Sequence, residues 1–246
     1  MVERVNDDFS QSVSLLVDEV PWTASPTKGV ARKMLDRVGG EVARATSVVR
    51  FLPGHVFPAH THGGGEEGGG EEFLVLSGVF SDEQGDYSRL TYVRNAPGSS
   101  HAPFSDEGAQ IFVKLRQMRP EGEVSLVVEP DQMAWCGDGL QQGHQQKLLF
   151  QARDWVEEVA LECLEGEARL EEVFEFGAEI LVLEGALLVA EVGQSGKGVS
   201  FEAVSHPVSV SHPALSWLRF PCHHRVVLEA KGSALYWIKR GVNFPV

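Results

Sequence analysis

The chain carries two histidines separated by one residue, His60 and His62, just before a glycine-rich acidic segment. Successive side chains of a β-strand point to opposite faces, so the two imidazoles of such a pair lie on one side and can share a metal ion. A third histidine, His101, follows the turn-forming pair Pro97-Gly98. With a carboxylate from residues 66–72, these histidines would supply four ligands. The pattern predicts a mononuclear metal site on β-strands.

A His-x-His pair alone is more often part of a polar strand surface than of a metal site. Two further spacings change this interpretation. Five residues separate Gly54 from His60, and six separate Glu71 from Gly78. Together with the Pro-Gly-x-x-His element at residues 97–101, they favour the metal site over the surface pair.

These spacings resemble the two sequence motifs of the cupins. Three longer segments, residues 50–54, 72–83 and 92–95, resemble more narrowly the cupin domain of ChrR, a zinc-binding anti-sigma factor. The resemblance extends over residues 22–120. It implies a small β-barrel that holds a metal ion inside, with three histidine ligands and one glutamate ligand. In this chain they would be His60, His62, Glu71 and His101.

The carboxylate ligand has two candidates because five residues are duplicated. Residues 63–67 read Gly-Gly-Gly-Glu-Glu, and residues 68–72 repeat them, whereas members of the family usually have a single copy. Counting forward from His62 nominates Glu66, and counting back from Gly78 nominates Glu71.

We favour Glu71 as the ligand. Its distance from the apolar strand at residues 73–76 fixes the face to which it points. A glycine-rich loop has the conformational freedom to absorb five more residues, at a closure cost of about 1 kcal/mol or less. Glu66 and Glu67 would then belong to a solvated loop.

The metal and the function follow from the ligand types and the resemblance. Imidazole and carboxylate ligands accept zinc, iron, manganese, nickel or cobalt, and affinity order does not choose among them. The ChrR resemblance favours one divalent zinc ion in a module that binds a small molecule or senses oxidative stress. Related cupins with similar ligands cleave diketone-type substrates, so the alternative is an iron-dependent dioxygenase acting on a diketone or hydroxyaryl ketone. Whether the protein is an enzyme is left open, and no catalytic residue is assigned.

A direct partnership with a sigma factor is not expected. ChrR-type anti-sigma factors carry an N-terminal helical zinc domain, with a histidine and paired cysteines, that grips the sigma factor. Here only residues 1–21 precede Trp22, and the first cysteine is Cys136.

Charge and cysteine content argue against a nucleic-acid-binding protein, a membrane protein and a disulfide-rich exported protein. The net charge is −14, with 35 acidic and 21 basic residues, which disfavours binding to nucleic acids or anionic membranes. The first residues include Glu3, Asp7 and Asp8 where an export signal needs positive charge, and no apolar run is long enough to span a bilayer. Three widely spaced cysteines do not suggest a disulfide framework, so a cytoplasmic location is expected.

Strand patterns dominate the chain and predict an all-β fold of two tandem cupin barrels, also described as jelly rolls or double-stranded β-helices. The only helix expected is a short one between Thr27 and Leu35. Nine segments read as strands: 42–51, 73–80, 109–117, 124–128, 147–150, 159–164, 168–176, 180–192 and 226–239.

An internal repeat supports two domains. Residues 72–78 recur as 179–185, and residues 108–114 recur as 232–239 with one insertion. We predict a metal-binding domain at 1–128 and a second cupin domain at 129–246, joined near residues 120–143.

The second domain is expected to lack the metal ligands. Aligning the repeats pairs each ligand with another residue type: Ala178 with Glu71, Glu172 and Phe174 with His60 and His62, and Arg225 with His101. His223 and His224 remain nearby, but adjacent strand residues face opposite ways and do not readily bind one ion.

The sequence also predicts a ligand pocket inside the barrel and a mode of assembly. Alternate residues of strands such as 48–51, 74–76 and 111–113 should line an apolar pocket for a small-molecule ligand. Arg50, Tyr92 or Arg94 could orient that ligand, although each is more often a surface or structural partner of nearby carboxylates. The resemblance points to dimers, and we expect the two cupins of one chain to pack as a pseudo-dimer, with a homodimer as the alternative.

Overall fold

A computed structural model describes residues 3–40, 42–63, 69–137, 142–194 and 208–242 of the chain. These residues form β-strands connected by turns, with two short 3-10 helices at Val17–Glu19 and Pro130–Gln132. The predicted all-β class is confirmed. Within the described ranges, no helix is long and apolar enough to cross a membrane.

The strands are numbered in chain order. Those up to residue 128 are β1 (Glu3–Val5), β2 (Val13–Leu16), β3 (Thr23–Ala24), β4 (Val30–Gly39), β5 (Ala43–Phe51), β6 (His55–Val56), β7 (His60–Thr61), β8 (Gly69–Gly78), β9 (Phe80–Asp82), β10 (Gly85–Tyr87), β11 (Tyr92–Asn95), β12 (Ser100–His101), β13 (Phe104–Ser105), β14 (Ala109–Met118) and β15 (Leu126–Val128). The later strands are β16 (His144–Gln151), β17 (Glu158–Glu165), β18 (Arg169–Phe174), β19 (Ala178–Gln194), β20 (Val210–Pro213), β21 (Ser216–Phe220) and β22 (His224–Arg240).

The chain divides into two compact units. The first comprises Met1–Asp7 and Val20–Gln132, and the second comprises Asp8–Glu19 and Met133–Val246. Compared with the predicted domains 1–128 and 129–246, the notable difference is residues 8–19, because strand β2 pairs with β21 of the second unit. Such pairing between residues two hundred positions apart leaves no local sequence signal.

The first unit contains one large sheet and two small ones, all antiparallel. The large sheet has the order β1-β4-β5-β14-β8-β11-β15, with β3 paired to β4. The small sheets are β10-β9-β13-β6 and the pair β12-β7. Apolar side chains from the large sheet and from the small sheet that contains β9 and β10 form the core of this unit: Val30, Phe51, Phe73, Val75, Phe80, Tyr87, Val93, Ala109, Ile111 and Val113.

The second unit is built around two long strands, β19 and β22, of 17 residues each. The first part of β19 pairs with β21 and its later part with β20, while β22 pairs first with β18 and then with β17. Each long strand therefore pairs with one neighbour along its first part and with another along its later part. Their inward-facing residues, including Ile180, Leu187, Leu228 and Ile238, form the core.

The helix expected between Thr27 and Leu35 is wrong. Val30–Gly39 is strand β4, paired along its length with β5. Val30 and Leu35 are buried in this position. The pairing and the burial outweigh the weak local preference for a helix.

The sequence repeat corresponds to one structural element in both units. Gly78 pairs with Ala109 in the first unit, and Gly185 pairs with Ala234 in the second. Both glycines have a positive φ of 72°, and a Cβ atom at either would lie within about 2 Å of a backbone oxygen of the neighbouring strand. Only glycine fits this close approach, which explains its recurrence at the end of the repeat.

Candidate metal centre

The structure brings together the four predicted ligands. His60, His62, Glu71 and His101 each offer one ligand atom, and these atoms all lie within 4.8 Å of one another. The centroids of the three imidazole rings are 4.6 to 4.9 Å apart. The chain positions that the spacing selected therefore form one compact cluster.

Short strands position the histidines. His60 in β7 is the direct cross-strand partner of His101 in β12. The backbone N–H of His62 donates to the carbonyl of Ser99, which extends this pairing by one position. The alternation of side chains then places His60 and His62 on one face, as expected for a His-x-His strand.

Glu71 reaches the cluster from strand β8. Its Oε1 lies 3.5 Å from Nε2 of His101 and 3.8 Å from Nε2 of His62. Asn95, its partner on β11, donates a hydrogen bond to the same oxygen at 3.2 Å. The carboxylate is buried and thus held in place on the predicted side of the strand.

The competing candidate, Glu66, lies outside the described residues, so the choice of Glu71 over Glu66 stays a prediction. Gly63 and Gly69 form a β-bridge, and Gly70 N–H donates to the carbonyl of His62. This pairing holds His62 and Glu71 in register on either side of residues 64–68.

The adjacent Glu72 points to the opposite face of β8. Its Oε2 accepts hydrogen bonds from the hydroxyl of Tyr92 at 2.6 Å and from Arg94 at 3.1 Å. Arg50, the third predicted ligand-orienting residue, lies over the ring of Trp22 at 4.4 Å. None of these three residues lines the cavity described below, and Tyr92 and Arg94 instead have the alternative role, as structural partners of a carboxylate.

Asp82 orients His101 from outside the cluster. Its Oδ2 lies 3.0 Å from Nδ1 of His101, and its Oδ1 accepts hydrogen bonds from the Tyr87 hydroxyl and the Gln84 backbone N–H. His60 has an equivalent contact, from Nδ1 to the carbonyl of Pro58 at 3.0 Å. In both rings a proton on Nδ1 leaves the Nε2 lone pair for the cluster.

The donor atoms fit a metal ion. Nε2 of His62 and Nε2 of His101 are buried and have no hydrogen-bond partner among the described residues. Burial lowers the pKa of His62, although Glu71 opposes the shift, which favours the neutral imidazole that metals require. Three imidazole nitrogens and one carboxylate oxygen match the preferences of zinc, iron, manganese and nickel.

Comparison with known proteins finds one family match and several structures of similar fold. Residues 10–119 match the family described as the ChrR cupin-like domain. The fold resembles that of several solved structures over nearly the whole chain. The chain has the cupin fold.

Three solved structures illustrate the likeness of fold. A candidate dioxygenase from Nostoc punctiforme has 11% identity, a TM-score of 0.67 and coverage of 96% of this chain and 85% of its own. A cupin 2 conserved barrel domain protein from Leptotrichia buccalis has 8% identity, a TM-score of 0.62 and coverage of 97% and 99%. A single-residue variant of Bacillus subtilis oxalate decarboxylase has 11% identity, a TM-score of 0.62 and coverage of 94% and 78%. The predicted double-cupin fold is confirmed, and the sequence matches none of the curated proteins with which it was compared.

A cavity of about 300 Å³ adjoins the candidate metal centre, at the small end of the range of ligand pockets. Three of the four candidate ligands, His60, His62 and Glu71, contribute to its wall. Most of the remaining wall is apolar: Val30, Val42, Ala43, Val49, Phe51, Phe57, Phe80, Pro103, Ile111, Val113 and Leu115. A molecule in this cavity would touch the ligand cluster directly.

The second cupin barrel differs at the equivalent position. Ala178 pairs with Arg240 as Glu71 pairs with Leu115, so Ala178 takes the place of the carboxylate ligand. Glu172 pairs with Val226 as His60 pairs with His101. The residue at the place of His101 is therefore Val226, and the alignment that predicted Arg225 was displaced by one residue.

An arginine occupies the interior of the second barrel instead. Arg240 donates to Glu158 at 3.2 Å, to Glu162 at 2.7 Å and to Glu172 at 2.6 Å. The hydroxyl of Tyr236 donates to Glu162 at 2.7 Å. The guanidinium of Arg240 thus compensates three carboxylates in the second barrel, where the described residues at the equivalent positions are not the candidate metal ligands.

The remaining histidines of the second unit do not join a metal cluster in the described part of the chain. His224 pairs with Glu191 at 2.7 Å, whereas the neighbouring His223 is exposed with a φ of 58°. The two rings have different surroundings, because His223 lies in the turn that precedes strand β22.

Proposed function

We propose that this protein binds one divalent metal ion through His60, His62, Glu71 and His101, and that the metal centre and the adjoining cavity together bind a small molecule. Zinc is the metal we favour, with iron, manganese and nickel as alternatives. The function in this proposal is a small-molecule binding or oxidative-stress sensing module.

The pair of buried Nε2 atoms on His62 and His101 carries the proposal. Leaving a buried polar atom without a partner costs about 1–3 kcal/mol. Both atoms point towards the same carboxylate from 3.5 and 3.8 Å, too far for good hydrogen bonds. A bound cation would satisfy both nitrogens and Glu71 at once.

The contacts of the outer atoms support the same conclusion. Metal-binding histidines commonly donate their other ring N–H to a carboxylate or a backbone carbonyl. His101 has such a contact with Asp82, and His60 has one with Pro58. Both rings are oriented independently of any ion.

The alternative function is that of an iron-dependent dioxygenase. The position of three candidate ligands in the cavity wall favours it, because a substrate in the cavity would contact the coordination sphere. A bound ferrous ion would supply redox chemistry that zinc lacks. The apolar wall would hold the substrate and exclude water.

Elemental analysis of protein purified without added metal tests the proposal. We expect one equivalent of metal per chain in the wild type, with little left in His101→Ala. The control is His223→Ala, which removes an exposed histidine and should leave the metal content unchanged. Stoichiometric metal in His101→Ala would refute the site.

The identity of the metal separates the two functions. Zinc retained through purification, together with no oxygen uptake by iron-loaded protein supplied with acetylacetone, supports the binding module. Oxygen uptake that requires iron and is absent in His101→Ala supports the dioxygenase.

A further inference from the structure

Two consecutive residues of strand β14, Leu115 and Arg116, both line the cavity of the first cupin. In a regular strand, neighbouring side chains point to opposite faces. The inward-facing residues that precede them, Ile111 and Val113, follow this rule. The strand must therefore be irregular at Arg116.

A β-bulge causes this irregularity. The register between β14 and β8 shifts between Leu115 and Met118, and Arg116 has a φ of 55°. Beyond the bulge, Gln117 donates to Oγ1 of Thr46, as Lys114 does before it. The bulge thus adds one residue to the cavity side of the strand, and that residue is Arg116.

A left-handed backbone at a residue other than glycine costs about 1–3 kcal/mol and is typically kept where the side chain has a function. Bulges beside functional sites commonly redirect a side chain in this way. The strain at Arg116 accompanies the placement of its guanidinium in the cavity wall.

The guanidinium of Arg116 lies against Gly63, the residue that follows the candidate ligand His62. A Cβ atom at Gly63 would come within 3.2 Å of Cζ of Arg116. Glycine at this position therefore makes room for a cation beside the metal centre. In the described ranges no hydrogen bond or ion pair of Arg116 is formed, so its donors remain available to a ligand.

The charge of the cavity wall is opposite in sign to that of the whole protein. Among the described residues, the wall includes Arg32, Arg37 and Arg116 but one carboxylate, Glu71, whereas the net charge of the chain is −14. A divalent metal ion would add further positive charge. Such a wall favours an anion.

We propose that Arg116 binds the carboxylate of a small amphipathic molecule, such as an aromatic or short aliphatic acid, whose apolar body fills the cavity. The planar guanidinium pairs with a carboxylate through two parallel hydrogen bonds. The single cation placed by the bulge suits a singly charged head group, and the apolar wall suits the body. This ligand class deepens the proposed small-molecule function and rests on it.

Calorimetric titration of the full-length, zinc-loaded protein with benzoate and with neutral benzamide tests the proposal. We expect benzoate to bind, and Arg116→Gln to weaken its affinity roughly tenfold or more, with the weaker binding of benzamide unchanged. Arg153→Gln removes an exposed arginine of the second unit and should leave benzoate affinity unchanged. Equal benzoate affinity in the wild type and Arg116→Gln would overturn the proposal, as would the absence of benzoate binding to the wild type.

A second variant separates recognition from folding. Glycine adopts the left-handed backbone without strain, so Arg116→Gly should unfold at the same or a higher temperature while losing benzoate affinity as Arg116→Gln does. A lowered unfolding temperature with unchanged benzoate affinity would assign Arg116 a structural role and overturn the proposal. Metal content is measured on the same samples, because failure of the wild type to hold metal contradicts the proposed function independently of the role of Arg116.

Discussion

Nδ1 of His101 lies 3.0 Å from Oδ2 of Asp82, and both side chains are buried. The two lie nineteen positions apart along the chain. The contact fixes the imidazole so that Nε2 faces Glu71, and it makes the ring a better donor to a cation. Asp82 itself is held by the hydroxyl of Tyr87.

Asp82→Asn should therefore weaken metal binding without removing a ligand. Loss of such a partner typically costs 10-fold to 100-fold in metal affinity. Competition with a chromophoric chelator measures this change. Asp86→Asn, an exposed carboxylate of the adjacent strand β10, is the matched control. Equal affinities in Asp82→Asn and the wild type would show that the contact does not support metal binding.

Substitution of the two glutamates decides which copy of the duplication supplies the ligand. Glu71→Gln should lose most of the bound metal, because it removes the negative oxygen near His62 and His101. Glu66→Gln should retain about one equivalent, since it leaves all four proposed ligands in place. Elemental analysis of both purified variants measures the outcome. Metal loss from Glu66→Gln alone would transfer the ligand role to Glu66.

The histidine positions could be predicted because their geometry is local. A His-x-His strand and a Pro-Gly turn before His101 act over a few residues, and strand alternation then determines the faces. Glu71 could be predicted because it precedes an apolar strand whose register is fixed by burial. Alternation also separates it from Glu72, which faces Tyr92 and Arg94 instead.

The contributions of Asp82 and Arg116 could not be derived in the same way. Asp82 reaches His101 only after strands β9 and β12 have folded together, so no spacing rule connects them. For Arg116, alternation predicts the same side as Lys114, and only the bulge reverses this. Residues 8–19 belong to the second unit through a far more distant pairing, between β2 and β21.

In the second barrel, Arg240→Met should destabilise the protein. Arg240 is largely buried and donates to Glu158, Glu162 and Glu172, so its removal leaves three carboxylates without their cation. Breaking a buried ion pair in this way costs roughly 3–5 kcal/mol. The expected result is a lower temperature or urea midpoint of unfolding.

Two variants make the Arg240 experiment specific. Arg169→Met removes an exposed arginine that also pairs with two carboxylates, and it should cost about 1 kcal/mol or less. Adding Glu162→Gln to Arg240→Met should recover part of the loss, because it removes one uncompensated charge. Equal midpoints for Arg240→Met and Arg169→Met would contradict a structural role for the cluster.

Glu162 also predicts how stability depends on pH. Burial raises the pKa of Glu162, but the charge of Arg240 and the hydrogen bonds from His144, Arg240 and Tyr236 outweigh it and lower the pKa from 4.5 to about 2. The folded state thus binds the proton more weakly than the unfolded state does. The resulting stabilisation, roughly 3 kcal/mol, is fully present above pH 4.5 and is lost as the pH falls towards 2.

Glu162→Gln should remove this component of the acid sensitivity. The variant is expected to be less stable than the wild type at neutral pH, since a neutral amide replaces the anion that pairs with Arg240. Below pH 4.5 the two proteins should converge, because the wild type loses a stabilisation that the variant lacks. Urea unfolding midpoints measured across this range give the difference between them. A difference that stays constant down to pH 2 would show that Glu162 does not titrate in this window.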